Sequence, residues 1–571
     1  MRKIIIILIC FWGVYFADDI ASSYVKIIGG PYNEYGTSVI PYSDNSLLLI
    51  GATWSWGYWE GHPTKNILLI KYYNFNADSV EWAKVIGGND RDIIMASTPT
   101  YDNGCVISGI TFSYGPGVPD SYNIFICKLD SMGNVDWGRV IDIPTDSSVK
   151  YCYLSKIIQT NDSGYISVGE TGYYNADPSD PHSHDLFILK FDSAGGLEWA
   201  KIVGGNSLDE GFSVMETPRN EYIVSGWTLS YGAGAYDLFI IKLNSDGELQ
   251  WAKTVGDYHW EKGFYLTQAH DNGFIVTGYT RSFSTDNNKD MILCKFTFDG
   301  ELEWAKVFSG IYDQFSFNII STEDGGYATS GYILYPETSC RLFFTKFDSS
   351  CSLVWAKTID DTAAGDGFSV TTLPDNSYLL GGYDRGFGSG DANLLIVKFD
   401  SSGHNCLGLD VTLAESDFYP ETSTVSPIDR YVEPTIEPIV LNTINVSPIE
   451  STICEDTIVS VSEKNTKFCR INIYPNPFNS SCVITAPKGA AVEIYDLRGK
   501  VMCDLSPLSS NSFLPEEKGE QPSPRGEGAL KSAGEGVFIW QPDESVPSGI
   551  YLVRAVFDDG RVAAKRIVYL R

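Results

Sequence analysis

Seven copies of one segment, with a period of a little over fifty residues, run from Tyr24 to about Asp400 and restrict the chain to architectures built by repetition. The copies show most clearly in the tryptophan of a WAK-like segment, at Trp82, Trp137, Trp199, Trp251, Trp304 and Trp355, with spacings of 55, 62, 52, 53 and 51 residues. Tyr24, in YVKIIGG, opens the series one period earlier. A second segment, alternating apolar and small, starts at Leu47, Cys105, Tyr165, Tyr222, Phe274, Tyr327 and Tyr378. A third ends in Lys71, Lys128, Lys190, Lys242, Lys295, Lys346 and Lys398.

Short runs rich in Ile, Val, Phe and Tyr, bounded by Gly, Asp, Asn and Ser, are strand signals, and each period holds about four. Segments such as Asn244-Ser245-Asp246-Gly247 supply the tight turn between the Lys strand and the Trp strand. Four short antiparallel strands repeated radially predict β-propeller blades, whereas a linear solenoid shows a shorter period and atypical capping repeats. The expectation is an all-β chain with a seven-bladed β-propeller over 24–406. The seventh copy reaches its Lys strand at Leu394–Asp400 but has no WAK segment, and YVKIIGG is spare. The N-terminal strand is therefore predicted to pair beside Leu394–Asp400 and close blade seven, which removes an exposed edge. The alternative is that His404–Val411 supplies a strand of its own.

At 571 residues, 43% hydrophobic and 20% charged, the chain has the material for a sizeable core and more than one domain. Arg2 and Lys3 precede an apolar run from Ile4 to Phe16, followed by Ala17 and acidic Asp18-Asp19, so residues 1–17 resemble a secretory signal peptide, too short for a spanning helix. No later stretch is long and apolar enough to span a membrane. A formal net charge of −31 argues against nucleic acid and anionic membrane surfaces as partners. The twelve cysteines lack CxxC spacing, which argues against a zinc ribbon. Cys469 and Cys482 form the best candidate disulfide; Cys105 and Cys127, in neighbouring strands, are either a second or buried thiols.

From 407 to 465 the chain turns rich in Pro, Ser, Thr and Glu and reads as an extended linker with little core of its own. A compact tail, 466–571, follows. Its six or seven short strand patterns predict a small immunoglobulin-like β-sandwich interrupted by a charged, disordered insertion at 507–535. Tyr474-Pro475-Asn476-Pro477-Phe478-Asn479, Ile494-Tyr495-Asp496-Leu497-Arg498-Gly499, Ser548-Gly549-Ile550-Tyr551-Leu552 and Lys565-Arg566-Ile567-Val568 resemble, in order, the motifs of the bacterial type IX secretion C-terminal sorting domain. That resemblance implies export across the outer membrane by the type IX machinery, with Tyr474, Pro475, Asn476, Pro477, Gly549, Tyr551 and Lys565 in the sorting signal. The repeats are similar to regions found ahead of such tails in surface proteins. A secreted or cell-surface location follows as the expectation.

In a propeller, the loop entering each inner strand and the loop joining the two middle strands share one face. The first loop carries a recurring carboxylate, at Glu34, Asp92, Asp209, Glu261, Asp313 and Asp366. Repetition points to a structural task, such as accepting backbone N–H bonds. A ring of carboxylates round a channel could instead hold polar ligands or cations, which makes calcium the one cofactor this pattern would admit. A catalytic pair would require one blade to differ, and the loops single out none. The middle loops vary and carry aromatic rings suited to sugar faces, so Trp54, Trp59, His62 and Tyr174 are candidate ligand contacts. The aromatic recurring at Trp56, Tyr114, Tyr231, Phe283 and Phe387 is expected to pack between blades, as are the WAK tryptophans with a cross-strand Lys contact. His182, His184 and Asp185 offer too few imidazoles for a metal.

No nucleophile elbow, zinc-binding helix, P-loop or dinucleotide fingerprint is present. The chain is expected to be a binding or adhesion module for extracellular polysaccharide or a surface protein. Two alternatives stand beside this: a polysaccharide hydrolase or lyase on the same scaffold, and a structural surface-layer component.

Overall fold

The computed structural model describes residues 21–457 apart from short loop stretches, and the strands between 472 and 569. Residues 1–20, 458–471 and 505–536 lie outside the described residues, as do 56–57, 60–61, 116–121, 143–150, 173–183, 360–364, 386–391 and some shorter stretches. The signal-peptide segment and the 507–535 insertion fall there. The chain divides into two compact units, Met1–Val459 and Ser460–Arg571. Among the described residues there is no helix, and so none long and apolar enough to cross a membrane.

The first unit is a seven-bladed β-propeller. Blade four shows how its sequence builds a blade: Asp209–Glu216, Tyr222–Thr228, Asp237–Leu243 and Leu249–Gly256 pair in order, all antiparallel. The two middle strands are buried along their whole length, because neighbouring blades cover both their faces; hence they are apolar or small at nearly every position. The outer strand begins half-exposed, with Gln250 turned to solvent between Leu249 and Trp251.

Blades lock together through the WAK tryptophans. The ring of Trp251 lies against Gly300, in the outer turn of the next blade, where an added Cβ would stand 2.6 Å from the ring. Gly300 also has φ +78°, so the turn needs glycine both for backbone conformation and for room. The recurring lysine sits beneath. Lys190, 1% exposed, is cross-strand from Trp199 and bonds Asp162 (2.8 Å) and Glu198 (3.0 Å); Lys295 repeats this with Asp271 (2.8 Å) and Glu303 (2.7 Å). A buried ammonium is tolerated because it is paired.

Ring closure uses the N-terminus. Ala21–Gly29 pairs antiparallel with Asn393–Phe399, Tyr24 opposite Lys398, and serves as the fourth strand of blade seven. Gly408–Asp410 goes elsewhere, to the outer strand of blade six.

The segment read as an interdomain linker departs from that reading. Gly408–Asp410, Ala414–Asp417, Glu421–Val425, Ile428–Val432, Thr435–Pro438, Asn442–Asn445 and Ile449–Thr457 add a fifth, outermost strand to blades six, five, four, three, two, one and seven, in that order. The chain thus girdles its own ring, running against the direction in which the blades were laid down. Register is strict: Asp410, Asp417, Thr424, Tyr431, Pro438, Asn445 and Thr452 face Lys357, Lys306, Lys253, Lys201, Arg139, Lys84 and Lys26. Seven residues therefore carry the strap from each blade to the next. Composition misleads here because each strap strand buries little of its own: all four residues of Ala414–Asp417 are exposed, and Phe418 anchors them, 5% exposed with its ring 4.5 Å from Phe283. The boundary between units accordingly falls near 459, not 406.

In the second unit, Asn472–Tyr474, Cys482–Thr485 and Val537–Trp540 form one antiparallel sheet. Val501–Asp504, Ala491–Asp496, Gly549–Val556 and Val562–Tyr569 form another. Trp540 of the first meets Tyr551 of the second edge-on at 5.2 Å. Gly549 opens its strand opposite Tyr569, Lys565 faces Val553, and Tyr474 faces Val483. Pro475, Asn476, Pro477 and Cys469 lie outside the described residues. Cys105 and Cys127 are buried free thiols, whereas Cys406 is disulfide-bonded.

Candidate functional site

The inner strands can be superposed by their pairing register, and each position then forms a ring around the axis. At the first position, Glu34, Asp92, Asp209 and Glu261 face Thr53, Thr111, Thr228 and Thr280. All four are buried and bonded to the facing threonine hydroxyl. Asp92 also accepts from the Gly88 N–H (2.6 Å) and the Ser113 hydroxyl (2.8 Å), and Asp209 from Gly205 (2.8 Å) and Ser230 (2.6 Å). Burial raises the pKa of both above the usual carboxylate range, and these hydrogen bonds only partly offset it. Such carboxylates staple the entry loop to the blade.

The ring is incomplete. Blade three has Cys152 at this position and blade seven Gly365, facing Asp384. In blade six the register places Gln314 there, so Asp313 falls one residue out of step, its Oδ1 accepting the Lys289 N–H at 3.0 Å. Asp366 is displaced the other way, opposite Tyr383. The inner-strand bulges and unequal loops hide this offset in the linear repeat.

The second position and its cross-strand partner form the mouth of the central channel: Tyr35 with Ala52, Ile93 with Ile110, Tyr153 with Glu170, Glu210 with Trp227, Lys262 with Tyr279, Phe315 with Tyr332 and Asp366 with Tyr383. Aromatic rings run in contact around it. Trp54 meets Tyr35 at 5.5 Å and Tyr35 meets Tyr383 at 4.8 Å; Trp227 meets Tyr236 at 4.7 Å and Tyr236 meets Trp260 at 5.6 Å. Cations lie on these faces: Lys65 over Trp54 (4.7 Å), Lys262 over Trp227 (3.6 Å) and Tyr236 (3.9 Å), and Lys289 over Phe315 (4.9 Å).

Between blades three and four this mouth carries a coupled acid pair. Glu170 is 5% exposed and its Oε1 lies 3.5 Å from His184 Nδ1. Burial pushes the Glu170 carboxyl up, but hydrogen bonds from His184, Glu210 and Tyr153 hold it below the usual range. Burial, then the hydrogen bond and charge of Glu170, push Glu210 up to about 9. Glu210 therefore carries the shared proton at neutral pH. Burial also lowers Lys262 to about 8.

Of the residues selected from sequence, Trp54 stands in the mouth. Trp59 and His62 face each other in a small hairpin, Tyr58–Trp59 with His62–Pro63, in blade one. Tyr174 and His182 lie outside the described residues. The recurring aromatic does pack between blades: Tyr114 and Tyr231 hydroxyls donate to Gly87 (3.1 Å) and Gly204 (3.0 Å) of the preceding blade. Sequence reading missed Glu170, Glu210 and Lys262. The signal was available as departures from the repeat, since six other blades put Ala, Ile, Trp or Tyr at the Glu170 position. Among the described residues no group of three or more His, Cys, Asp or Glu is placed to hold a metal ion.

Fold and site define an all-β, strapped seven-bladed propeller with an aromatic, charged channel mouth. No family model matches the chain, and no curated protein matches it by sequence. Among solved structures it is similar to the K499G mutant of the NanB sialidase from Streptococcus pneumoniae, at 8% identity over 67% of this chain and 95% of that one, with a TM-score of 0.35. A biofilm associated protein BSP domain matches at 10% identity over 96% and 90%, with a TM-score of 0.16. Likenesses this distant carry no argument about activity.

Proposed function

We propose that the chain is a secreted or cell-surface binding protein whose propeller mouth holds an extracellular polysaccharide. The supporting observation is the run of half-buried aromatic faces, Trp54, Tyr35 and Tyr383 on one side and Tyr236 and Trp260 on the other, which offers stacking surface for several sugar rings at once. In the same proposal the tail is an immunoglobulin-like type IX sorting domain recognised by the secretion machinery, as its four motifs suggest, and residues 1–17 direct export. Soluble polysaccharides retained by the full chain, with binding weakened about tenfold or more by Trp54→Ala and by Tyr383→Ala, are the expected result. Retention of no polymer, or equal retention by both variants, would sink the reading.

One observation favours a catalytic second reading, a polysaccharide hydrolase. Glu170 and Glu210 are neighbouring carboxyls tuned apart, one ionised and one protonated, so that a candidate base and a candidate acid stand side by side in the mouth. Release of reducing ends from a retained polymer, abolished by Glu210→Gln, would move this reading ahead. Intact polymer after prolonged incubation would remove it.

A further inference from the structure

The channel holds a second site, behind the mouth. On the inner strands of blades four, five and six, the mouth residues Glu210, Lys262 and Phe315 are followed by a partial aromatic layer, Phe212, Phe264 and Phe317, with ring centroids 5.0 and 4.9 Å apart. Past that layer the later halves of the inner strands line a cavity of about 730 Å³ running to the face where those strands end. Its size falls within the range of about 300–1,000 Å³ usual for small-molecule sites.

The lining mixes apolar residues with neutral polar ones, and only two of its residues carry charge, Lys156 and Glu216. The Glu216 carboxylate accepts the Asn161 N–H at 2.7 Å. Lys156 has no such partner. Its Nζ stands 5.4 Å from the centre of the Tyr265 ring, and among the described residues no carboxylate lies within ion-pair distance. The repeat shows that the lysine is not required by the fold: the aligned residues of the other six blades are Ser38, Ala96, Ser213, Tyr265, Asn318 and Ser369. The recurring lysines elsewhere in the ring are all paired, so a lone ammonium here, in a chain of net charge −31, calls for a counter-ion.

We propose that this cavity binds a small, polyhydroxylated monocarboxylate of the sugar-acid class, with Lys156 as its counter-ion. Amide and hydroxyl groups of Gln159, Gln268, Asn318 and Thr371 offer the alternating donors and acceptors that sugar hydroxyls need. The Glu216 carboxylate in the same wall repels a second negative charge, which sets a monoanion apart from a phosphate dianion. Burial lowers the Lys156 pKa, with no other cause acting, so a bound carboxylate should raise it. The site is independent of the mouth reading, since its lining shares no residue with the mouth.

The test is calorimetric titration of the full chain with D-galacturonate, D-galactose and inorganic phosphate in parallel. Saturable galacturonate binding is expected, at least about tenfold tighter than for galactose or phosphate, lost in Lys156→Met and largely kept in Lys156→Arg. Thermal melting of each variant confirms that the ring is intact; should Lys156→Met not fold, Lys156→Gln replaces it. No saturable galacturonate binding, equal binding of galactose, or unchanged affinity in the neutral variants overturns the proposal.

Discussion

Replacing Phe418 by alanine isolates the strap from the ring. Full burial of a Phe side chain is worth about 1.5–3 kcal/mol and the ring pair with Phe283 about 0.5–1.5 kcal/mol more, so the substitution should cost the strap about 3 kcal/mol. Apart from its backbone pairing with blade five, little else holds this stretch. Ala414–Asp417 is exposed throughout, and the exposed Lys306–Glu415 bridge (2.9 Å) contributes under about 1 kcal/mol. The loss should therefore appear as local opening and not as global unfolding. The Phe418 amide donates to the Ala305 carbonyl at 3.0 Å, and native-state hydrogen exchange reads that bond directly. Exchange at 416–418 should accelerate about a hundredfold, while melting of the ring shifts by no more than about 2 °C. The reasoning fails if exchange there is unchanged, or if the whole ring loses stability with no local opening, because the strap would then not be a separately stabilised element.

Acid should loosen the blades. Hydrogen bonds and charge from Lys128 and Lys190 hold Asp102 and Asp162 below the usual carboxylate range despite burial, and the Lys295 hydrogen bond does so for Asp271. Asp324, bonded to Thr322 and Lys346 against the push of burial, falls to about 2. A depressed folded pKa means stability present above the ordinary value and lost as pH falls toward about 2, so urea midpoints should drop over that window and drop less in Lys346→Met. Glu210 has the opposite sign: raised to about 9, it favours the folded state at low pH and loses that contribution as pH rises toward about 9, and Glu210→Gln should flatten the alkaline slope in denaturant titrations. Gly300→Ala, facing both φ +78° and the Trp251 ring, should cost about 1–3 kcal/mol and alter Trp251 fluorescence; an unchanged melting point would refute the packing role.

Blade number, strand order and ring closure were legible because each copy repeats the same buried middle strands, and only the copy lacking a WAK segment needed Tyr24–Gly30 to complete it. The strap was hidden for a physical reason. Its period of seven is set by the distance between blades, not by a core, and the cue is an apolar residue recurring at one phase of that period: Val411, Phe418, Val425, Val432, Ile439, Val446 and Ile453. The mouth was half legible. Trp54 stood out as an aromatic in a variable loop, but Glu170 and Glu210 are brought together only by the cross-strand register, and Asp313 looked like its neighbours until the same register moved it aside.

The girdle changes what the ring shows to other chains. Every blade of four strands would end in an outer strand with a row of free N–H and C=O groups, seven ready templates for pairing with a stranger. Strands of three to nine residues cover all seven, and Pro420 and Pro427 interrupt the new rim where a long partner strand would need continuous donors. Because 408–457 follows the blades in the chain and its last strand lies on Ala21–Gly29, the cover is completed at the seam where the circle itself is sealed. A chain ending at Cys406 would keep its seven blades and bare all seven templates at once, and it should aggregate where the intact chain does not.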